Sequence, residues 1–342
     1  MPIFGENGMK FGIFEHMDYA GVPLNQQIEQ RLQLIEAYDR LGFYGYHLAE
    51  HHGTPLGLAP SPGIFMAAVA QRTKRLRFGP LVYLLPLYHP LRLIEEICML
   101  DQMSGGRYEL GVGKGVSPIE VGFFGVDPSQ GQRQYVEALA VIRQGMTADK
   151  LTYAGEYYNF DQVPMVMKPL QQPHPPLWYG VLNPETSVWA AANDVNLVTL
   201  LPAPAARAIT DRYRAEWAAL GKQTDKLPLL GLIRHMVVAE DENAARCAAE
   251  HGYRLWRRNM EILWVQHGMV LPLPLPPEFE PLRAFGGAFA GTPAQARDYV
   301  AEQIETAGVN YFVADVAFGD LTFDDALRTA ELLAHEVMPA FA

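Results

Sequence analysis

The chain has only two cysteines, Cys98 and Cys247, among 342 residues, and neither stands at a paired spacing or beside a histidine cluster. That argues against a disulfide framework and against a thiolate zinc site. Positive charge is also scarce: 27 Lys and Arg against 38 Asp and Glu leave a net charge of −11. Such a surface offers no attraction to nucleic acid or an anionic membrane, so a small organic molecule is the expected partner. No apolar run approaches the roughly 20 residues of a membrane span. MPIFGENGMKFG lacks an apolar core after a basic start, and the expected location is cytoplasmic. The first predicted strand is not followed by a glycine-rich dinucleotide fingerprint, which weighs against an open doubly wound sheet.

What is present is apolar residues in quantity, 49% against 19% charged, enough for one substantial core. Their periodicity alternates. Lys10 to Glu15 reads as a strand, and Gln26 to Leu41 repeats Ile28, Leu32 and Ile35 at helical spacing. Strand and helix then take turns: Tyr44 to Ala49, Pro62 to Thr73, Leu76 to Leu81, the helix from Pro90, Tyr108 to Val112, Gln132 to Met146. The rhythm resumes with Leu177 to Val181, Pro184 to Asn193, Asn196 to Leu200, Ala203 to Leu220, Leu227 to Ala239 and Glu242 to Arg258. It closes with Pro293 to Ala307, Asn310 to Asp315 and Asp324 to Val337. Eight strands joined by helical crossovers predict a single α/β domain over 1–342, a parallel (β/α)8 TIM barrel. Two stretches interrupt the period. Residues 148–176 read as a hairpin insertion, and the proline-rich 259–290 reads as a lid or rim rather than a hidden strand.

The most distinctive stretch is His89 to Gly115, HPLRLIEEICMLDQMSGGRYELGVGKG, a helix stopped by Ser104-Gly105-Gly106 that passes into a buried strand and a flexible turn bearing Lys114. With KFGIFEH near the start, AEHH at Ala49 to His52 and GTPAQARDYVAEQIETAGVNYFV near the end, it resembles the bacterial luciferase-like flavin-dependent monooxygenases, in the same order along almost the whole chain. The resemblance implies a barrel that takes reduced FMN from a separate flavin reductase and uses O2 to oxidise a small apolar substrate such as an aldehyde or terpene. The same barrel family includes F420-dependent oxidoreductases, and a flavin-binding protein without catalysis is a third reading.

Adjacent residues leaving a strand point in opposite directions, so at most one of His51 and His52 faces a pocket. The resemblance makes His51 the catalytic one, an acid or base that needs no metal. It also implies a non-proline cis peptide at Leu81-Val82 behind the flavin ring. Lys114 leaves the fourth strand and Arg133 begins the next helix, so the two can approach one phosphate at the barrel mouth. The family usually has arginine where Lys114 stands, and lysine loses the two-pronged geometry. Asn183 and Thr186 open a helix whose free N–H groups suit an anion, and by resemblance they contact the flavin phosphate. Phe123 and Trp264 are the candidates for an apolar substrate pocket. By resemblance a homodimer pairs through the second and third helices, with Phe65, Met66, Val69, Ile94, Ile97 and Met99 as its apolar surface.

Overall fold

A computed structural model describes residues 8–273 and 275–341; the ends of the expected domain (1–7 and 342) and one proline of the expected lid (274) lie outside the described residues. Eight parallel strands form the barrel: β1 Lys10–Glu15, β2 Gly45–Leu48, β3 Arg77–Pro80, β4 Leu110–Gly113, β5 Leu177–Gly180, β6 Asn196–Thr199, β7 Leu230–Val238 and β8 Tyr311–Asp315. Hydrogen-bonded neighbours run β3, β2, β1, β8, β7, β6, β5, β4, and a parallel bridge between Phe78 and Tyr108 joins the two ends. The parallel (β/α)8 TIM barrel expected from the sequence is therefore the architecture observed.

The strands read as near-continuous apolar runs because both faces are covered, by helices outside and by side chains inside. The lower interior holds large rings rather than a pore. Trp178 and Tyr311 pack there with His47, whose Nε2 lies 2.9 Å from the Tyr311 hydroxyl. The Trp178 indole N–H donates to Glu109 at 2.6 Å, and Glu109 pairs with Arg77. Gly12 makes room for Tyr311: a Cβ there would sit 1.8 Å from the phenolic oxygen.

Residues Lys150–Ala154 and Asn159–Pro164 pair antiparallel as a hairpin outside the barrel. The stretch after β7 differs from its reading. The helix that starts at Glu242 runs on to Gln266, eight residues past the expected Arg258. A short helix, Phe279–Ala284, follows, and then Ala288–Gly291 adds a parallel strand in register with His235 to Val238. The sequence hid that strand because AFAG carries small residues and no β-branched ones, so burial rather than propensity places it.

The expected pairing surface is corrected as well. Phe65, Met66, Val69, Ile94 and Ile97 are buried within the chain, and of the six only Met99 is exposed. Their helical spacing points them at their own barrel, where the helices Pro62–Arg72 and Pro90–Ser104 pack on each other. Cys98 is buried in the same helix. Among the described residues no helix is long and apolar enough to cross a membrane.

Candidate active site

A cavity of about 820 Å³ opens toward the C-terminal ends of the strands, lined by residues of the strands and of the segments that follow them. This lies within the roughly 300–1,000 Å³ typical of small-molecule sites, at the barrel face where loops from several strands converge. Its wall is mostly apolar. Phe14, Leu81, Val82 and Ile233 contribute from the barrel, and Trp256, Met260, Leu273 and Leu275 from the long segment after β7.

Three imidazoles stand in this wall, each from a different strand or the loop after it: His16 after β1, His51 after β2 and His235 within β7. His51 donates from Nδ1 to the Glu120 carboxylate, at 3.1 and 3.2 Å from its two oxygens. The His52 N–H also donates to Glu120, at 2.8 Å. Burial pushes the Glu120 carboxyl up, but the hydrogen bond and charge of His51 and the His52 N–H outweigh it, leaving Glu120 below its ordinary range. The carboxylate thus holds the His51 proton on Nδ1 and leaves Nε2 to the cavity. His52 turns the other way, 2.7 Å from Glu50, whose second oxygen accepts the Leu84 N–H at 3.0 Å. That bond ties the loop after β2 to the one after β3.

His16 has the opposite tautomer. Trp256 donates its indole N–H to His16 Nδ1 at 3.3 Å, so the His16 proton belongs on Nε2. Burial, reinforced by His51 and His235 nearby, holds His16 well below the usual histidine range and keeps it neutral. His235 lies edge-on between Trp256 and Phe318, with ring centroids at 4.5 and 4.6 Å, and its Nδ1 is 3.2 Å from an Asp315 carboxylate oxygen.

The expected flavin-side residues separate into two groups. Leu81, Val82, Lys114, Asn183 and Thr186 all line the cavity, and the Leu81-Val82 peptide is cis. Lys114 is the one lysine or arginine in that wall among the described residues. Arg133 is not there. One step along a helix turns a side chain by about 100°, so Gln132 faces the cavity while Arg133 points outward, pairs with Glu156 at 3.0 Å and is largely exposed. Neither of the two expected pocket aromatics lines this cavity. Phe123 ends the helix Pro118–Phe123 on its outer side and is half exposed. Trp264 is buried behind the wall, packed with Ile119 and Leu263.

Sequence reasoning passed over Glu120, His16, His235, Asp315 and Trp256. A signal existed for the first: Ser117-x-x-Glu120 has capping-box spacing, and Ser117 Oγ does accept the Glu120 N–H at 3.2 Å. The carboxylate, however, turns to the histidines instead of back to the cap. For His16, His235 and Asp315 the signal was position, since polar side chains at the C-terminal ends of barrel strands are candidates on that ground alone.

A parallel barrel with a mainly apolar cavity and imidazoles set at this face has the form of a barrel enzyme. Residues 9–311 match the luciferase-like monooxygenase family, and the chain belongs to it. An uncharacterized protein of Sinorhizobium fredii, y4wF, is 43% identical over 330 residues, 96% of each chain. The oxygenase component of the flavin-dependent trigonelline monooxygenase of Acinetobacter baylyi is 26% identical, covering 98% of this chain and 96% of its own. Limonene 1,2-monooxygenase of Rhodococcus erythropolis is 29% identical, over 93% and 82%.

Among solved structures, the monooxygenase RslO1 of Streptomyces bottropensis superposes with a TM-score of 0.88 at 25% identity, over 98% of this chain and all of the other. Two more share the fold at 19% identity. One is the oxygenating constituent of 3,6-diketocamphane monooxygenase of Pseudomonas putida with FMN (TM-score 0.80; 98% and 99% covered). The other is the F420-dependent tetrahydromethanopterin reductase of Methanopyrus kandleri (TM-score 0.71; 98% and 100% covered).

Proposed function

We propose that this protein is the oxygenase of a two-component system, taking reduced FMN from a separate reductase and using O2 to oxidise a small, largely apolar organic molecule. The observation that carries the reading is the division of the cavity. One side has the Leu81-Val82 peptide, Lys114, Asn183 and Thr186; the other has an apolar surface with imidazoles set into it.

The residues present fit a flavin mononucleotide. Lys114 supplies a cation, Thr186 a hydroxyl and Asn183 an amide for a phosphate, and a Cβ at Gly180 would meet nothing within 4 Å, so the wall between them is open. Leu81 and Val82 offer a flat apolar backing for a ring system. When bound, reduced FMN supplies the electrons that activate O2 for transfer of one oxygen atom. The chain's own part is to hold the cofactor, exclude water and manage protons.

His51, with its proton fixed on Nδ1 by Glu120, presents Nε2 as a base toward the cavity, and after taking a proton it becomes an acid at the same atom. Neutral His16 serves as a hydrogen-bond donor from Nε2. Leu273, Leu275 and Met260 roof the site, and the segment after β7 acts as a lid that keeps water from the reacting groups.

The relatives named as flavin-dependent and limonene monooxygenases support this reading over hydride transfer by F420. The test is to supply chemically reduced FMN under ¹⁸O₂ with a panel of terpenes and aldehydes. A product carrying a single ¹⁸O atom is expected. Oxidation of FMN with no labelled product from any panel member overturns it.

A further inference from the structure

Two atoms in the cavity wall are sealed from solvent and have no hydrogen-bond partner: His235 Nδ1 and Asp315 Oδ2. They are 3.2 Å apart, on residues that face each other across the β7–β8 pairing, though the angle between them falls outside hydrogen-bond geometry. Neither atom has another hydrogen-bond partner among the described residues, and 3.2 Å is within hydrogen-bond distance once the imidazole turns to align them. Asp315 is 1% exposed and its other oxygen accepts the Ala317 N–H at 3.4 Å, so the carboxylate is fixed in place. The ring itself is confined by Trp256, Phe318 and Tyr253.

A carboxylate behind Nδ1 decides the tautomer: the proton sits on Nδ1, and Nε2 keeps its lone pair. Nε2 of His235 has no hydrogen-bond partner among the described residues and is not among the sealed atoms, and the residue lines the cavity. An acceptor thus stands in an apolar wall opposite the flavin-side residues, with Trp256 beside it.

We propose that His235 is a specificity-determining residue that accepts a hydrogen bond from a hydroxyl group of the substrate, with Asp315 as the positioning residue that keeps Nε2 an acceptor. The substrate class is then an apolar molecule bearing one O–H, such as an alcohol or phenol, rather than a plain hydrocarbon or an ether. A hydrocarbon leaves the acceptor desolvated and unpaired, and an ether sets oxygen against a lone pair, so both are discriminated against. This inference rests on the proposed monooxygenase site.

The test is calorimetric titration with three probes of one skeleton: 4-propylphenol, its methyl ether 4-propylanisole, and propylbenzene. Each is run with saturating oxidised FMN and again without flavin. The wild-type protein is expected to bind the phenol about tenfold more tightly than either of the others, one hydrogen bond's worth. His235→Phe, which suits the aromatic surroundings, reduces the ratio to near unity. Asp315→Asn is the more telling variant: an amide donor at Nδ1 moves the proton to Nε2, so an acceptor becomes a donor and the ether binds as well as the phenol. Thermal unfolding of both variants checks their folding. Equal binding of the three probes by the wild type, no binding of any, or a phenol preference that survives in folded His235→Phe overturns the proposal. Failure to bind FMN counts against the monooxygenase reading instead, and the titrations without flavin still report on His235.

Discussion

Glu120 and Trp256 set the protons of two histidines in opposite ways, and the chemistry available at the cavity follows from that. With Nδ1 of His51 committed to Glu120, its Nε2 is left as an acceptor, the proposed base; with Nδ1 of His16 accepting from Trp256, its Nε2 is a donor. His51→Ala should lower turnover by about 10²–10⁴-fold, the usual share of general acid–base catalysis, while FMN binding followed by flavin fluorescence stays unchanged. A variant that binds flavin and turns over normally contradicts the role. Glu120→Gln should lower kcat at least about tenfold with little change in KM, as removal of an orienting carboxylate does, and steady-state kinetics reads the split. His51 was legible because two histidines directly follow a strand in a motif that resembles the family's. Glu120 lies 69 positions away and reaches it only through the barrel's closure, which no local spacing encodes.

The elements were more legible than the residues. Strand and helix periods are local properties, so the eight strands emerge from apolar spacing with ends shifted by at most three residues. What the sequence hid was the long segment after β7, where a helix outlasts its expected stop and a four-residue strand is made of alanine, phenylalanine and glycine. Arg133 shows the limit of element-level reasoning: the helix was placed, but its rotation sends Gln132 inward. If the segment acts as a lid, replacing Leu273 and Leu275 with serine should admit water and raise hydrogen peroxide release relative to product severalfold. Parallel peroxide and product assays measure this, and unchanged coupling removes the lid role. The barrel floor makes a separate prediction. Gly12→Ala forces the Tyr311 ring aside and should destabilise the fold by about 1–3 kcal/mol in urea titration, the usual cost of overpacking.

At the scale of the whole molecule, burial of polar rings under the site links stability to acid. Burial pushes His47 down to about 3, whereas in the unfolded chain a histidine titrates near 6.5. Between those values the unfolded state binds a proton that the native state does not. The stability present above about 6.5 is therefore lost as pH falls toward 3, by roughly 1.4 kcal/mol per pH unit from this residue. His47→Gln should show an acid slope shallower by about that amount in urea unfolding at several pH values, and an unchanged slope contradicts it.

Whether this barrel takes reduced FMN, as proposed, is decided by an anaerobic titration with reduced FMN and, separately, with reduced F420. Reduced FMN is expected to bind more tightly than F420, and Lys114→Ala to weaken that binding. Preferential binding of F420, or FMN binding indifferent to Lys114, would contradict it.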